Sequence, residues 1–154
     1  MFNLNYNQFA SAYRRYASRD AQTLVAELGW TGQRSPGSNG ALLTSLALLA
    51  AGAPLAGTHA IAAGPLAGRR VYRGANRLAD WLAERYALPE IIPLDRGLGE
   101  VACQLFGRRG IVAFIQGNGP FGGLIGLLDG RNAQVLCCRA AACHPVEIRF
   151  WELR

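Results

Sequence analysis

Apolar residues recur at helical spacing near the start of the chain, at Phe9, Tyr13, Tyr16, Leu24, Val25 and Leu28, so residues 5–29 read as helical. Asp20 is placed to cap a second helix there, and Gly29 to end it. Residues 32–40, Gly-Gln-Arg-Ser-Pro-Gly-Ser-Asn-Gly, are a loop by their punctuation. The pattern then changes. Residues 41–51, Ala-Leu-Leu-Thr-Ser-Leu-Ala-Leu-Leu-Ala-Ala, are apolar on almost every side. Such a helix has no solvent face and belongs at the centre of a core. Gly52 and Pro54 stop it, residues 55–70 read as irregular loop, and residues 76–86 form an amphipathic helix with Leu78, Trp81, Leu82 and Tyr86 inward.

The last third reads as strands: residues 110–116, 124–128, 134–138 and 146–153 are short apolar runs separated by turns. Asp129-Gly130 reads as the hairpin turn between the second and third of them. Helices first and an antiparallel sheet last give an α+β fold, with the buried helix laid on one face of the sheet.

Length and composition narrow the picture. A chain of 154 residues, 51% hydrophobic and 17% charged, is expected to fold as one domain over residues 1–154 and is not a disordered polymer. The net charge of +6 comes from sixteen Arg with no Lys, a bias of coding as much as of function, so nucleic acid is a minor reading. Residues 1–13 lack the basic start and apolar run of a signal peptide. The apolar stretch 41–68 is interrupted by Gly52, Pro54, Gly57, Gly64 and Pro65, which excludes a spanning helix. The expected location is the cytoplasm of the producing cell, with any export by a route other than general secretion.

A loop ending in Asn39-Gly40, a buried helix and then an antiparallel sheet is the plan of a papain-like cysteine peptidase. There the nucleophile stands at the helix N-terminus, where the dipole and free N–H groups lower its pKa and hold the oxyanion. A His on a facing strand acts as base, oriented by a carboxylate or amide. The helix carries Ala41, Ser45, Ala47, Leu48 and Gly52. Downstream come residues 70–82, Arg-Val-Tyr-Arg-Gly-Ala-Asn-Arg-Leu-Ala-Asp-Trp-Leu, then Gly-Ile-Val-Ala-Phe at 110–114, residues 123–130, and the ending Phe-Trp-Glu-Leu at 150–153. In order and spacing these resemble the family-four amidase effectors of type VI secretion, papain-like (NlpC-type) enzymes that cut peptidoglycan crosslinking peptides.

The resemblance covers nearly the whole chain, yet the position of the nucleophile is Gly40, that of the base Leu124 and that of the orienting residue Gly126. Gly cannot attack a carbonyl and Leu cannot move a proton. The reading is therefore a pseudoenzyme: an amidase-like effector, without catalytic residues, that binds through a vacated cleft. Trp30, Asn39, Gly40, Ala41, His59, Gly123, Leu124 and Gly126 are the expected cleft residues, with the loop 117–123 as one wall. Losing the Cys and His side chains is expected to leave that cleft larger and more apolar, and to let Gly40→Cys be accepted. The resemblance further implies a cognate immunity protein, passage through the type VI machinery, and action in the target-cell periplasm on peptidoglycan or a periplasmic protein. It implies no cofactor.

Two other classes stand beside this reading. One is a hydrolase with relocated chemistry, drawing on Cys103, Cys137, Cys138 or Cys143 with His59 or His144. Against it, Cys137 and Cys138 as neighbours on a strand would face opposite sides and suit neither one metal nor one site. No metal site is assigned; free cysteines packed as small apolar residues, or a disulfide from Cys143 after export, account for them. The other class is an Arg-rich binder of nucleic acid or anionic membrane, using Arg69, Arg70, Arg73 and Arg77, which otherwise read as a solvated face. Trp81 and Trp151 read as core, and Trp30 as the tryptophan placed to line a groove.

Overall fold

The computed structural model describes residues 2–30, 39–117 and 122–154. Helix α1 (Tyr6–Ala17) begins at Asn5, whose side chain accepts the N–H of Gln8 at 3.1 Å. Helix α2 (Ala21–Glu27) begins at Asp20, whose carboxylate accepts the N–H of Thr23 at 2.7 Å, the cap expected of it. Gly29 follows with φ 81°, a conformation that needs no Cβ. Helix α3 (Gly40–Ala50) is the all-apolar segment, and Leu42, Leu46, Ala47 and Leu48 are fully buried in it. Each such leucine adds about 1.5–3 kcal/mol over its exposed state. Ser45 is buried too. Its hydroxyl donates to the carbonyl of Tyr72 and accepts the N–H of Tyr72, both at 3.1 Å.

Strands β1 (His59–Ala60) and β2 (Arg70–Val71) make a small antiparallel pair within the segment expected to be loop. Helix α4 (Ala75–Arg85) buries Leu78, Trp81 and Leu82 as its spacing predicts. The main sheet has the order β3-β6-β4-β5 and is antiparallel throughout, from β3 (Glu90–Ile92), β4 (Arg109–Ile115), β5 (Leu124–Asp129) and β6 (Glu147–Glu152). Its two faces are both apolar. Ile111, Ala113, Ile125, Leu127 and Trp151 join the core with α1, α3 and α4. Val112, Phe114, Leu124, Leu128, Ile148 and Phe150 join a second core with α5 (Leu98–Leu105) and α6 (Ala133–Ala140). The α+β expectation holds, with the buried helix against the sheet.

Three expectations need correction. Residues 134–138 are helix, within α6, and not a strand. Asp129-Gly130 opens that helix and closes no hairpin: Asp129 Oδ1 accepts the N–H groups of Arg131 and Asn132 at 2.9 and 3.0 Å, while Asn132 Nδ2 donates to the carbonyl of Leu127 at 2.8 Å. Cys137 and Cys138 are therefore helix neighbours, the first buried and the second exposed. Arg73 is not on a solvated face; it is 4% exposed, with its guanidinium 5.0 Å from the centre of the Trp30 ring. Arg69, Arg70 and Arg77 are exposed as expected.

Candidate functional site

The sheet order leaves β5 at an edge, and the head of α3 abuts that edge. Asn39 is the N-cap of α3 without a side-chain hydrogen bond, Gly40 is its first residue, and Ala41 is buried. A Cβ on Gly40 would stand 2.2 Å from the carbonyl oxygen of Ile125. That is well inside contact distance, so helix backbone touches strand backbone and only glycine fits. One position along the strand, the Cβ site of Gly126 lies 3.0 Å from the hydroxyl oxygen of Tyr13. That hydroxyl, carried by α1, accepts the backbone N–H of Leu127, and burial pushes its pKa above the ordinary phenol value.

Leu124 packs in the second core, on the sheet face opposite α3. The adjoining end of β5 is held by side chains. Asn76 Nδ2 donates to the carbonyl of Gln116 at 2.6 Å, and Asn76 Oδ1 accepts the N–H of Gln116 at 3.1 Å. Gln116 Oε1 in turn accepts the N–H of Gly123 at 3.1 Å. Gly123 has φ 88°, and a Cβ there would meet the carbonyl of Phe114 at 2.5 Å.

The extra space expected at Gly40 and Gly126 is not found at their Cβ sites. The strand carbonyl leaves no room for a Cβ at Gly40, and the Tyr13 hydroxyl crowds the Cβ site of Gly126. Gly40→Cys is not a silent change in such a place. The structure sets Gly40 against Ile125 at the edge of the sheet, while Leu124 and Gly126, two residues apart on β5, share the face of the second core. Most of the loop 32–40 and residues 118–121 of the loop 117–123 lie outside the described residues. Tyr13 and Asn76 were missed as partners of the site; the glycines at 40 and 126 were the available sign of close approach.

Trp30 and His59 meet elsewhere, beside the β1–β2 pair. Their ring centres are 6.5 Å apart in an edge-on arrangement, and the Trp30 indole N–H donates to the carbonyl of Ala60 at 2.8 Å. Trp30 is 6% exposed, a core residue rather than an open wall. His59 is half-buried, and burial together with the Arg73 charge holds its pKa below the usual imidazole value. The cysteines are all free, and among the described residues no hydrogen bond joins one to a histidine. Burial, with Cys138 beside it, pushes the Cys137 thiol up to about 11, the opposite of an activated nucleophile. No group of three metal-ligating side chains occurs among the described residues.

No protein-family model and no curated protein matches the sequence. Solved structures do. A chain of the Tae4/Tai4 effector–immunity system from Salmonella typhimurium superposes with a TM-score of 0.70 at 17% identity, covering 99% of this chain and 100% of that one. The chain has the Tae4 fold. The Tae4–Tai4 complex from Enterobacter cloacae gives a TM-score of 0.64 at 15% identity with full coverage of both chains. At such identities the likeness is one of fold. The Tae4 fold here carries, at the head of its buried helix, a backbone-to-backbone contact.

Proposed function

We propose that this chain is a type VI effector of the Tae4 kind that has exchanged hydrolysis for binding. The carrying observation is the contact of Gly40 with the Ile125 carbonyl. A papain-like hydrolase needs a thiol at that point, with room for the side chain and for an attacked carbonyl. Here no side chain stands at the head of α3, and a Cβ would collide with β5. The Tyr13 hydroxyl over Gly126 supports the same reading, since it fills the place of the group that would orient a base.

The rest of the proposal follows from the full-length likeness to proteins solved as effector–immunity systems. The chain is exported through the type VI machinery, acts in the periplasm of the target cell, and is held in check in the producer by an immunity protein. The ligand in the target is peptidoglycan or a periplasmic protein. Two experiments test this. Purified protein incubated with sacculi is expected to release no newly cut crosslinking peptide. Expression in a susceptible cell with periplasmic targeting is expected to impair growth, and cytoplasmic expression is not. Growth impairment only from the cytoplasmic form would move the target to the Arg-rich alternatives.

A further inference from the structure

The main sheet ends at β3 on one side and at β5 on the other, and an edge strand with unpaired outward peptide groups is a template for another strand. At β5 those groups are taken. The Tyr13 hydroxyl accepts the N–H of Leu127, Asn132 Nδ2 donates to the Leu127 carbonyl at 2.8 Å, and Asn132 Oδ1 accepts the N–H of Asp129 at 2.9 Å. One carboxamide thus bonds the carbonyl of one residue and the N–H two residues on, as a residue of a neighbouring parallel strand would. The carbonyl of Ile125 is covered by the head of α3 at Gly40.

The same bonds fix the direction of the peptide groups across the whole sheet, because successive residues of a strand turn them to opposite sides. With the peptide groups of Leu127 and Asp129 outward, those of Gly126 and Leu128 bond β4 at Val112 and Gly110. Ile111 and Ala113 then bond β6 at Trp151 and Arg149, in keeping with the Leu153 N–H donating to the Arg109 carbonyl at 3.1 Å. Phe150 and Ile148 are left to bond Glu90 and Ile92 of β3. The outward positions along β3 are therefore 89, 91 and 93, and two of them are Pro89 and Pro93. Neither has an N–H to offer, and each ring stands where an incoming carbonyl would come. Ile91 between them is 53% exposed and Leu88 is 87% exposed, so the prolines bracket the edge on which apolar side chains lie open.

We propose that both edges of the sheet are closed to strand addition, β5 by Tyr13, Asn132 and the head of α3, and β3 by Pro89 and Pro93. The two closures differ in kind. At β5 the outward bonds are filled from within the chain, whereas at β3 the outward donors on either side of Ile91 are missing. Together they keep the folded chain from pairing edge to edge with a second copy of itself through the exposed Ile91.

Light scattering after size exclusion, together with amide hydrogen exchange, tests this on the full chain. Pro89→Thr combined with Pro93→Thr restores two outward N–H groups on a good strand former. The double variant is expected to gain mass with concentration, from monomer towards dimer, while the parent stays monomeric throughout. Pro65→Thr, which removes a proline outside the main sheet, is expected to behave as the parent. In the parent the Ile91 N–H is expected to exchange rapidly at every concentration, and the N–H groups of Leu127 and Asp129 to be protected despite their edge position. That contrast needs no variant, so it decides the matter even where the double variant does not fold. A folded double variant that stays monomeric, equal association of Pro65→Thr, or a protected Ile91 N–H in the parent would each overturn the closure at β3. Rapid exchange at Leu127 and Asp129 would overturn it at β5.

Discussion

The Cα of Gly40 lies so close to the carbonyl oxygen of Ile125 that a methyl group on Gly40 would come within 2.2 Å of it. Gly40→Ala is therefore expected to destabilise the protein by about 2–3 kcal/mol, because helix or strand backbone must move. Gly99 in α5 is the control. It has open space where its Cβ would be, and Gly99→Ala is expected to raise stability by about 0.5 kcal/mol. Urea denaturation of both variants against the parent measures the contrast.

Tyr13 seals the same strand edge, and its removal is measurable in two ways. Tyr13→Phe leaves the Leu127 N–H without its acceptor and is expected to cost about 1–2 kcal/mol at neutral pH. The Tyr13 pKa is raised in the folded state, so the folded protein holds its phenol proton when the unfolded chain has released it. This contribution is complete below the unfolded phenol pKa and is lost as pH rises through the folded one. Denaturation followed from pH 9 upward is expected to show less alkaline loss in Tyr13→Phe than in the parent.

Two adjacent buried hydroxyls in α3 are expected to respond with opposite sign. Ser45→Ala removes the partner of both the N–H and the carbonyl of Tyr72, a loss of about 2–3 kcal/mol. Thr44 is fully buried and its hydroxyl has no hydrogen-bond partner among the described residues. Thr44→Val is therefore expected to gain about 1 kcal/mol. Thermal or urea unfolding distinguishes the two directions in one experiment.

The cysteines differ in reach and in proton affinity. Alkylation of the native protein at pH 8 is expected to modify Cys103 and Cys138, which are exposed, well before Cys137, which is buried with its thiol pushed up to about 11. Peptide mapping after timed quenching gives the order. Rapid labelling of Cys137 in the folded protein would point back to a relocated nucleophile.

Much of this fold was legible in the sequence because hydrophobic period reports burial directly. The all-round apolar run at 41–51 had only one place to go, and Asp20 and Gly29 carry caps that act locally. The errors came where local chemistry outweighed the pattern. Residues 134–138 alternate too little to separate a strand from one helical turn and a half, and the Asp129 and Asn132 side chains decide for the helix. The candidate site was half legible. The residue types at 40, 124 and 126, from which the reading of lost catalysis starts, are written in the sequence, but what surrounds them depends on contacts across the chain. Neither the approach of Ile125 to Gly40 nor that of Tyr13 to Gly126 has a periodic signature, and the burial of Arg73 depends on the distant Trp30.

The central claim is that a Tae4-like scaffold binds here without cutting, and mass spectrometry of sacculi incubated with the purified protein tests it most directly. The account predicts a muropeptide profile identical to that of a heat-inactivated control at every enzyme-to-sacculus ratio. Crosslinking peptides newly cut by the native protein and not by the inactivated one would contradict it.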